Sequence, residues 1–158
     1  MEAGILDIYT VSFFGHRRIE NAFGLERRLE NIVAELIGRR EYIVFLVGRG
    51  GEFDQYAASA VRRCRRSIRS DNSSLVLVLP YMNAEYRKNM QAFHDYYDEI
   101  EICESSSRTH AKRAHLERNR HVVDRSDLII FYVDHDQSGA YLAMKYALKT
   151  GRNCINLA

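Results

Sequence analysis

Strand-sized apolar runs alternate with amphipathic segments from one end of the chain to the other, and that alternation is the βαβ signature of a parallel sheet. Ile8–Phe14, Tyr42–Val47, Leu75–Leu79 and Asp127–Val133 read as strands, with Glu99–Cys103 a weak short one and Cys154–Leu157 closing the series. Between them, Phe23–Arg39 places Leu25, Leu29, Ile32, Val33, Leu36 and Ile37 on one helical face and is expected to close at Gly38. Phe53, Tyr56, Ala57, Ala60, Val61, Cys64 and Ile68 mark a second helix face, with an arginine cluster on its outer side. Pro80 stops the third strand, and Asn83 is suited to cap a helix bearing Tyr86, Met90, Phe93 and Tyr97. After the loop Ser105-Ser106-Ser107, a basic helix runs to about Arg125. Ser138 caps a last helix with Ala140, Ala143, Met144, Ala147 and Leu148 inward, and Gly151 ends it. The expected fold is a single Rossmann-like, doubly wound α/β domain over residues 1–158, a mostly parallel sheet with helices on both faces.

A chain of 158 residues is one domain's worth. Its apolar runs are too short to span a bilayer, so no membrane partner is expected. The opening Met1-Glu2-Ala3-Gly4 has no basic start followed by an apolar stretch, so no signal peptide is expected either. Cys64, Cys103 and Cys154 are isolated and without CxxC spacing, which argues against a zinc knuckle or a disulfide framework and makes reducing cytoplasm the default. A net charge of +2 does not demand a polyanionic partner. Its distribution is uneven, with Arg62, Arg63, Arg65, Arg66 and Arg69 in one segment and Asp95, Asp98, Glu99, Glu101 and Glu104 in another. Two solvated surfaces are the plainer reading; a surface for nucleic acid or an anionic ligand is the sharper one.

In an open parallel sheet, ligands bind beyond the carboxyl ends of the strands, so the loops that follow strands carry the chemistry. Gly15-His16-Arg17 leaves strand one, where the glycine permits a close backbone approach and the two basic residues project at the sheet edge. Gly48-Arg49-Gly50-Gly51 leaves strand two. Its glycines let backbone N–H groups converge at a helix N-terminus, and Arg49 offers a fork of donors, a combination suited to phosphate. Asp54, in the first turn of that helix, is suited to cap it or to accept a ribose hydroxyl. The loop is neither a Walker A motif nor GxGxxG. In Asp134-His135-Asp136 the spacing does not suit metal ligands, and aspartates are common in turns before a helix cap. No metal site is expected there, and Ser138-Gly139 at the following helix start is the better anion or hydroxyl contact. Asn119 sits at the edge of the inward face of its helix and needs a partner, either backbone or ligand.

Taken in order, Phe14-Gly15-His16-Arg17, Gly48-Arg49-Gly50-Gly51 with Phe53-Asp54, Arg118-Asn119-Arg120 with Val123-Asp124 and Ser126-Asp127, and Ser138-Gly139-Ala140 with Lys145-Tyr146-Ala147 and Ile155-Asn156-Leu157 resemble the SLOG superfamily, most closely its YpsA-like branch. That Rossmann-like group also includes DNA-processing protein A and the cytokinin-activating "lonely guy" hydrolases. The resemblance implies a nucleotide-type ligand held by the glycine loops, with Arg118 matching the family's arginine, and pairing into homo-oligomers as in related domains. The hydrolase branch requires a catalytic glutamate where this chain has Leu142 and Ala143, and Ala140 replaces the threonine of its Gly-Gly-Thr pattern. An N-glycosidic bond needs a carboxylate at the sugar carbon, so that activity is not expected.

Three functions follow in order of support. The first is binding or sensing of a phosphate-bearing nucleotide or nucleotide-derived ligand, with no certain cofactor. The second is an enzyme cleaving a nucleotide N-glycosidic or phosphoester bond, with Glu52, Asp54, Asp134 and Asp136 as the available acids. The third is single-stranded nucleic-acid binding through the five-arginine helix and the basic stretch Arg108–Arg125.

Overall fold

A computed structural model describes residues 6–158; the Met1–Gly4 stretch read above for a targeting signal lies outside the described residues. Six parallel strands form one sheet in the order β4-β3-β2-β1-β5-β6. They are β1 (Ile8–Gly15), β2 (Tyr42–Val47), β3 (Ser73–Leu79), β4 (Glu99–Ile102), β5 (Leu128–Tyr132) and β6 (Cys154–Asn156). The helices between them are α1 (Leu25–Arg39), α2 (Glu52–Ser67), α3 (Ala84–Lys88), α4 (Met90–Tyr96), α5 (Glu104–Ser107), α6 (Ala111–Asp124) and α7 (Gly139–Lys149).

Strand alternation sorts the core into two layers. Val11, Phe13, Phe45, Val47, Leu75, Leu77, Ile130 and Tyr132 face one way and pack under α1 and α2. Phe14, Leu46, Val76, Val78, Ile129 and Phe131 face the other way, under α6 and α7. Helices therefore cover both faces, as the near-continuous apolar strands require. Removing a ring such as that of the fully buried Phe13 or Phe45 is expected to cost about 3–5 kcal/mol. Among the described residues no helix is long and apolar enough to cross a membrane.

Several sequence expectations shift at element ends. Gly38 lies inside α1 rather than closing it, and Phe23 stands outside the helix, 94% exposed, before the left-handed Gly24 (φ 73°). The helix expected after Asn83 is two short ones divided at Asn89; its Tyr86 and Phe93 are buried as expected, but Met90 is exposed. Asn83 does cap α3, accepting the Tyr86 N–H at 2.8 Å. Leu148, expected to face inward on α7, is exposed; Ala140, Ala143 and Ala147 are buried there, with Met144 packed against the same layer as expected.

The arginine and acidic clusters touch through Arg65 and Asp98, and other members of each pair with charges outside the two clusters. Arg65 pairs with Asp98 at 2.6 Å, Arg63 with Glu30, Arg69 with Asp71 at 2.7 Å, and Arg125 with Glu101 at 2.6 Å. Arg62 donates to the Tyr96 carbonyl at 2.7 Å and lies over the Tyr96 ring.

Candidate functional site: a cleft at the strand-order switch

The chain winds outward from β1 to β4, then returns to add β5 on the other side of β1, so β1 and β5 mark the switch point where ligands enter such sheets. The carboxyl ends of β1, β2 and β3 and the loop after β5 open there onto a cleft of about 740 Å³. That volume lies within the range of small-molecule sites. Gly15, His16, Arg17, Gly48, Arg49, Gly50, Asp54, Arg118, Asn119, Ser138 and Gly139 all line it. Of the ligand contacts expected from sequence, Gly51 does not.

Two glycines serve packing. A Cβ on Gly15 would stand 2.2 Å from Cγ of the buried Phe53, so α2 rests directly on the end of β1. A Cβ on Gly51 would stand 2.4 Å from Arg17 Cα, and the Glu52 N–H donates to the Arg17 carbonyl at 2.9 Å. Gly51 thus joins the two loops by backbone contact instead of presenting an amide to a ligand.

The second loop departs from expectation in two ways. Its converging amides are turned toward the protein's own carboxylate: Gly50 N–H donates to Asp54 Oδ2 at 2.8 Å. Burial pushes the Asp54 carboxyl above the usual carboxylate range, while the Arg118 charge and the amides of Gly50, Gly48 and Gly51 pull it back. Asp54 thus fastens the glycine loop to the first turn of α2, whose N-cap residue is Gly51. Arg49 also turns away, donating through Nε to Glu85 at 2.6 Å and through Nη1 to the Tyr97 hydroxyl at 3.0 Å, with its guanidinium over the Phe93 ring. The fork expected on a phosphate thus ties the loop to α3 and α4.

The donors that face the cleft come from α6 and α7. Arg118 is only 6% exposed, with Nε donating to the Val78 carbonyl at 2.8 Å and Nη1 to Asn119 Oδ1 at 3.0 Å. Its Nη2 has no partner among the described residues. Burial lowers the Arg118 pKa, though a guanidinium remains charged. Asn119 is not bonded to backbone through its Oδ1, which orients Arg118, and its Nδ2 lies 3.9 Å from where a Cβ of Gly139 would stand. Ser138 Oγ accepts the Tyr141 N–H at 3.1 Å and keeps its own O–H to donate. The Asn119 amide, the Ser138 hydroxyl and the first amides of α7 therefore sit together.

On the opposite wall, His16, 3% exposed, stacks on His135 with ring centroids 3.7 Å apart. Its Nε2 lies 3.0 Å from the Asp134 amide nitrogen and 3.1 Å from Asp134 Oδ1, and its Nδ1 is buried with no partner among the described residues. Burial first and then the charge of His135 push the His16 pKa below 6.5, against the pull of Asp134. Candidate ligand atoms of His16, Asp134 and His135 lie within 4.8 Å of one another. This geometry does not suit a metal. His135 Nδ1 accepts the Gln137 N–H at 3.2 Å, which leaves the proton on Nε2, and near-parallel rings cannot aim in-plane lone pairs at one ion.

Among solved structures, DNA processing protein A (DprA) from Streptococcus pneumoniae superposes with a TM-score of 0.67 at 17% identity, covering 94% of this chain and 50% of that one. DprA from Helicobacter pylori superposes with a TM-score of 0.64 at 15% identity, covering 94% of this chain and 64% of that one. The chain has a DprA-like, Rossmann-type fold. At these identities the likeness is one of architecture, and the chain spans half to somewhat under two-thirds of the length of these DprA chains. No protein-family model matches it, and no curated protein does.

On this DprA-like frame the cleft includes residues that the sequence reading passed over. His115 is one, three residues before Arg118 on the same face of α6, with its edge against Tyr81. That i, i+3 spacing was the available signal. Arg18 and Glu20 extend the first loop, and Asn83 and Glu85 add a rim from α3. Of the four candidate acids, Asp54 and Asp134 line the cleft and Asp136 does not. Glu52 is engaged elsewhere, accepting the Ile19 N–H at 2.6 Å. Leu142, where a hydrolase would carry its glutamate, points to solvent.

Proposed function

We propose that the cleft binds a phosphate-bearing, nucleotide-type ligand in a reducing, cytoplasmic setting, where the free thiols of Cys64 and Cys103 are at home. The observation that carries this reading is Arg118: a buried guanidinium at the cleft, fixed by Val78 and Asn119, with one nitrogen unpartnered. A buried charge is costly unless its hydrogen bonds are completed, so the site favours an anionic or strongly accepting ligand. The phosphate belongs beside α7, where the Ser138 hydroxyl, the amides of Gly139 and Ala140 and the Asn119 amide are donors at a positive helix end. Arg17 at the mouth adds charge. Isothermal titration against the common nucleoside monophosphates tests this. Heat of binding that is lost in an Arg118→Met protein is the expected result, and silence toward every nucleotide at millimolar concentration rejects it.

Single-stranded DNA is the second reading, favoured because DprA from Helicobacter pylori binds it. Against it, Arg62, Arg63 and Arg65 of α2 and Arg69 just beyond it are engaged by Tyr96, Glu30, Asp98 and Asp71. Phosphate-driven binding of a strand is tightest at low salt. An oligo-dT that fails to bind even there removes this reading and leaves the small-molecule one standing.

A further inference from the structure

We infer that Asp54 and Arg118 form a subsite for a ribose hydroxyl, so that the cleft distinguishes ribonucleotides from deoxynucleotides; this rests on the nucleotide reading above. A Cβ placed on Gly48 would lie 3.3 Å from Arg118 Nη2, 3.3 Å from Asp54 Oδ2 and 3.5 Å from Asp54 Oδ1. A guanidinium donor and a carboxylate acceptor therefore converge beside the Gly48 backbone, both on the lining of the cleft. They do not close on each other. Arg118 is held back by the Val78 carbonyl and Asn119, and Asp54 by the Gly50 amide.

The chemistry at that point selects its occupant. A phosphate oxygen there would accept from Arg118 but meet the Asp54 carboxylate, a like charge that already occupies the loop's amides. A methyl or methylene would leave Nη2 unsatisfied. A hydroxyl does both jobs, accepting from Nη2 and donating to the carboxylate. Phosphate is meanwhile accommodated beside α7, on the other side of Asn119, so the two ends of one nucleotide have separate places on one rigid network. Asn119 joins them, with Oδ1 on Arg118 and Nδ2 toward Gly139.

The test is calorimetric titration of the full chain with each nucleoside 5′-monophosphate and with its 2′-deoxy and 3′-deoxy counterparts. A hydroxyl bonded to two charged groups is expected to give a preference of about ten- to a hundredfold over at least one deoxy analogue. Asp54→Asn should shrink that ratio to about threefold or less while the deoxy ligand still binds. Gly48→Ala, whose methyl stands against both groups, should do the same and serves as the second variant if Asp54→Asn misfolds. Equal affinity of the wild-type protein for ribo and both deoxy forms overturns the subsite and leaves the nucleotide reading intact. Binding of no monophosphate of any kind overturns both.

Discussion

Gly15→Ala tests the seating of α2 on β1, on which half of the cleft depends. The added methyl carbon would stand 2.2 Å from Phe53 Cγ and 2.4 Å from both Phe53 Cβ and Cδ2. Comfortable carbon–carbon contact is about 3.5–4.0 Å, so more than an ångström of retreat is needed. Because Phe53 Cβ is itself within the clash, a change of rotamer cannot relieve it, and the first turn of α2 must move. That turn is pinned by Glu52 N–H to the Arg17 carbonyl, by Ile19 N–H to Glu52 Oε2 and by Gly50 N–H to Asp54. Overpacking a well-packed core costs about 1–3 kcal/mol, and these tethers place this case near the upper end. For a domain of this size the melting temperature should fall by roughly 6–12 °C. Differential scanning calorimetry reads it directly. Gly38→Ala is the matched control: it lies within α1 with nothing within 4 Å of the new methyl, and should gain about 0.5–1 kcal/mol. A Gly15→Ala protein that melts within about 1 °C of wild type would refute the packing argument.

Three further outcomes are expected. Ser138→Ala should cost about 1 kcal/mol by removing the acceptor for the Tyr141 N–H, and Ser138→Gly only a few tenths, as read by urea unfolding. Arg118→Lys keeps the charge but not the fork, so nucleotide affinity in calorimetry should fall about tenfold or more; unchanged affinity would discard the role of Nη2. The His16 pKa lies below its unfolded value of 6.5, so its contribution is intact above that pH. Below it, the unfolded chain takes up the proton first, and stability falls toward the folded value. His16→Gln should flatten the melting-temperature profile between pH 7 and pH 5, and an unaltered slope would contradict the assignment.

The architecture was legible because burial on two faces writes itself into composition. Phe13 and Phe14, adjacent in β1, serve opposite layers, and a fully apolar run is what that requires. The loops were legible as places, since chemistry after strands converges at a switch point. Their contents were less so. Nothing in Gly48-Arg49-Gly50-Gly51 shows that Asp54 will take the Gly50 amide, because that bond depends on the first turn of α2 folding back. The direction of Arg49 is set by Glu85 and Tyr97, 36 and 48 residues away, through the placement of α3 and α4. Likewise His16 and His135 were each visible, but their stacking needs β1 and β5 to be neighbours, a fact of topology that local patterning does not carry.

The order of strands has one more consequence, which concerns when the cleft exists at all. Its walls are contributed by stretches around residues 15, 48, 118 and 138, drawn from nearly the whole length of the chain. A partly assembled polypeptide offers no fragment of it that could hold a molecule. Occupancy is therefore linked to complete folding, and a compound at a hundred times its dissociation constant should add about 2.7 kcal/mol to the free energy of unfolding. A melting curve recorded across a chemical library thus becomes a way to find the natural occupant.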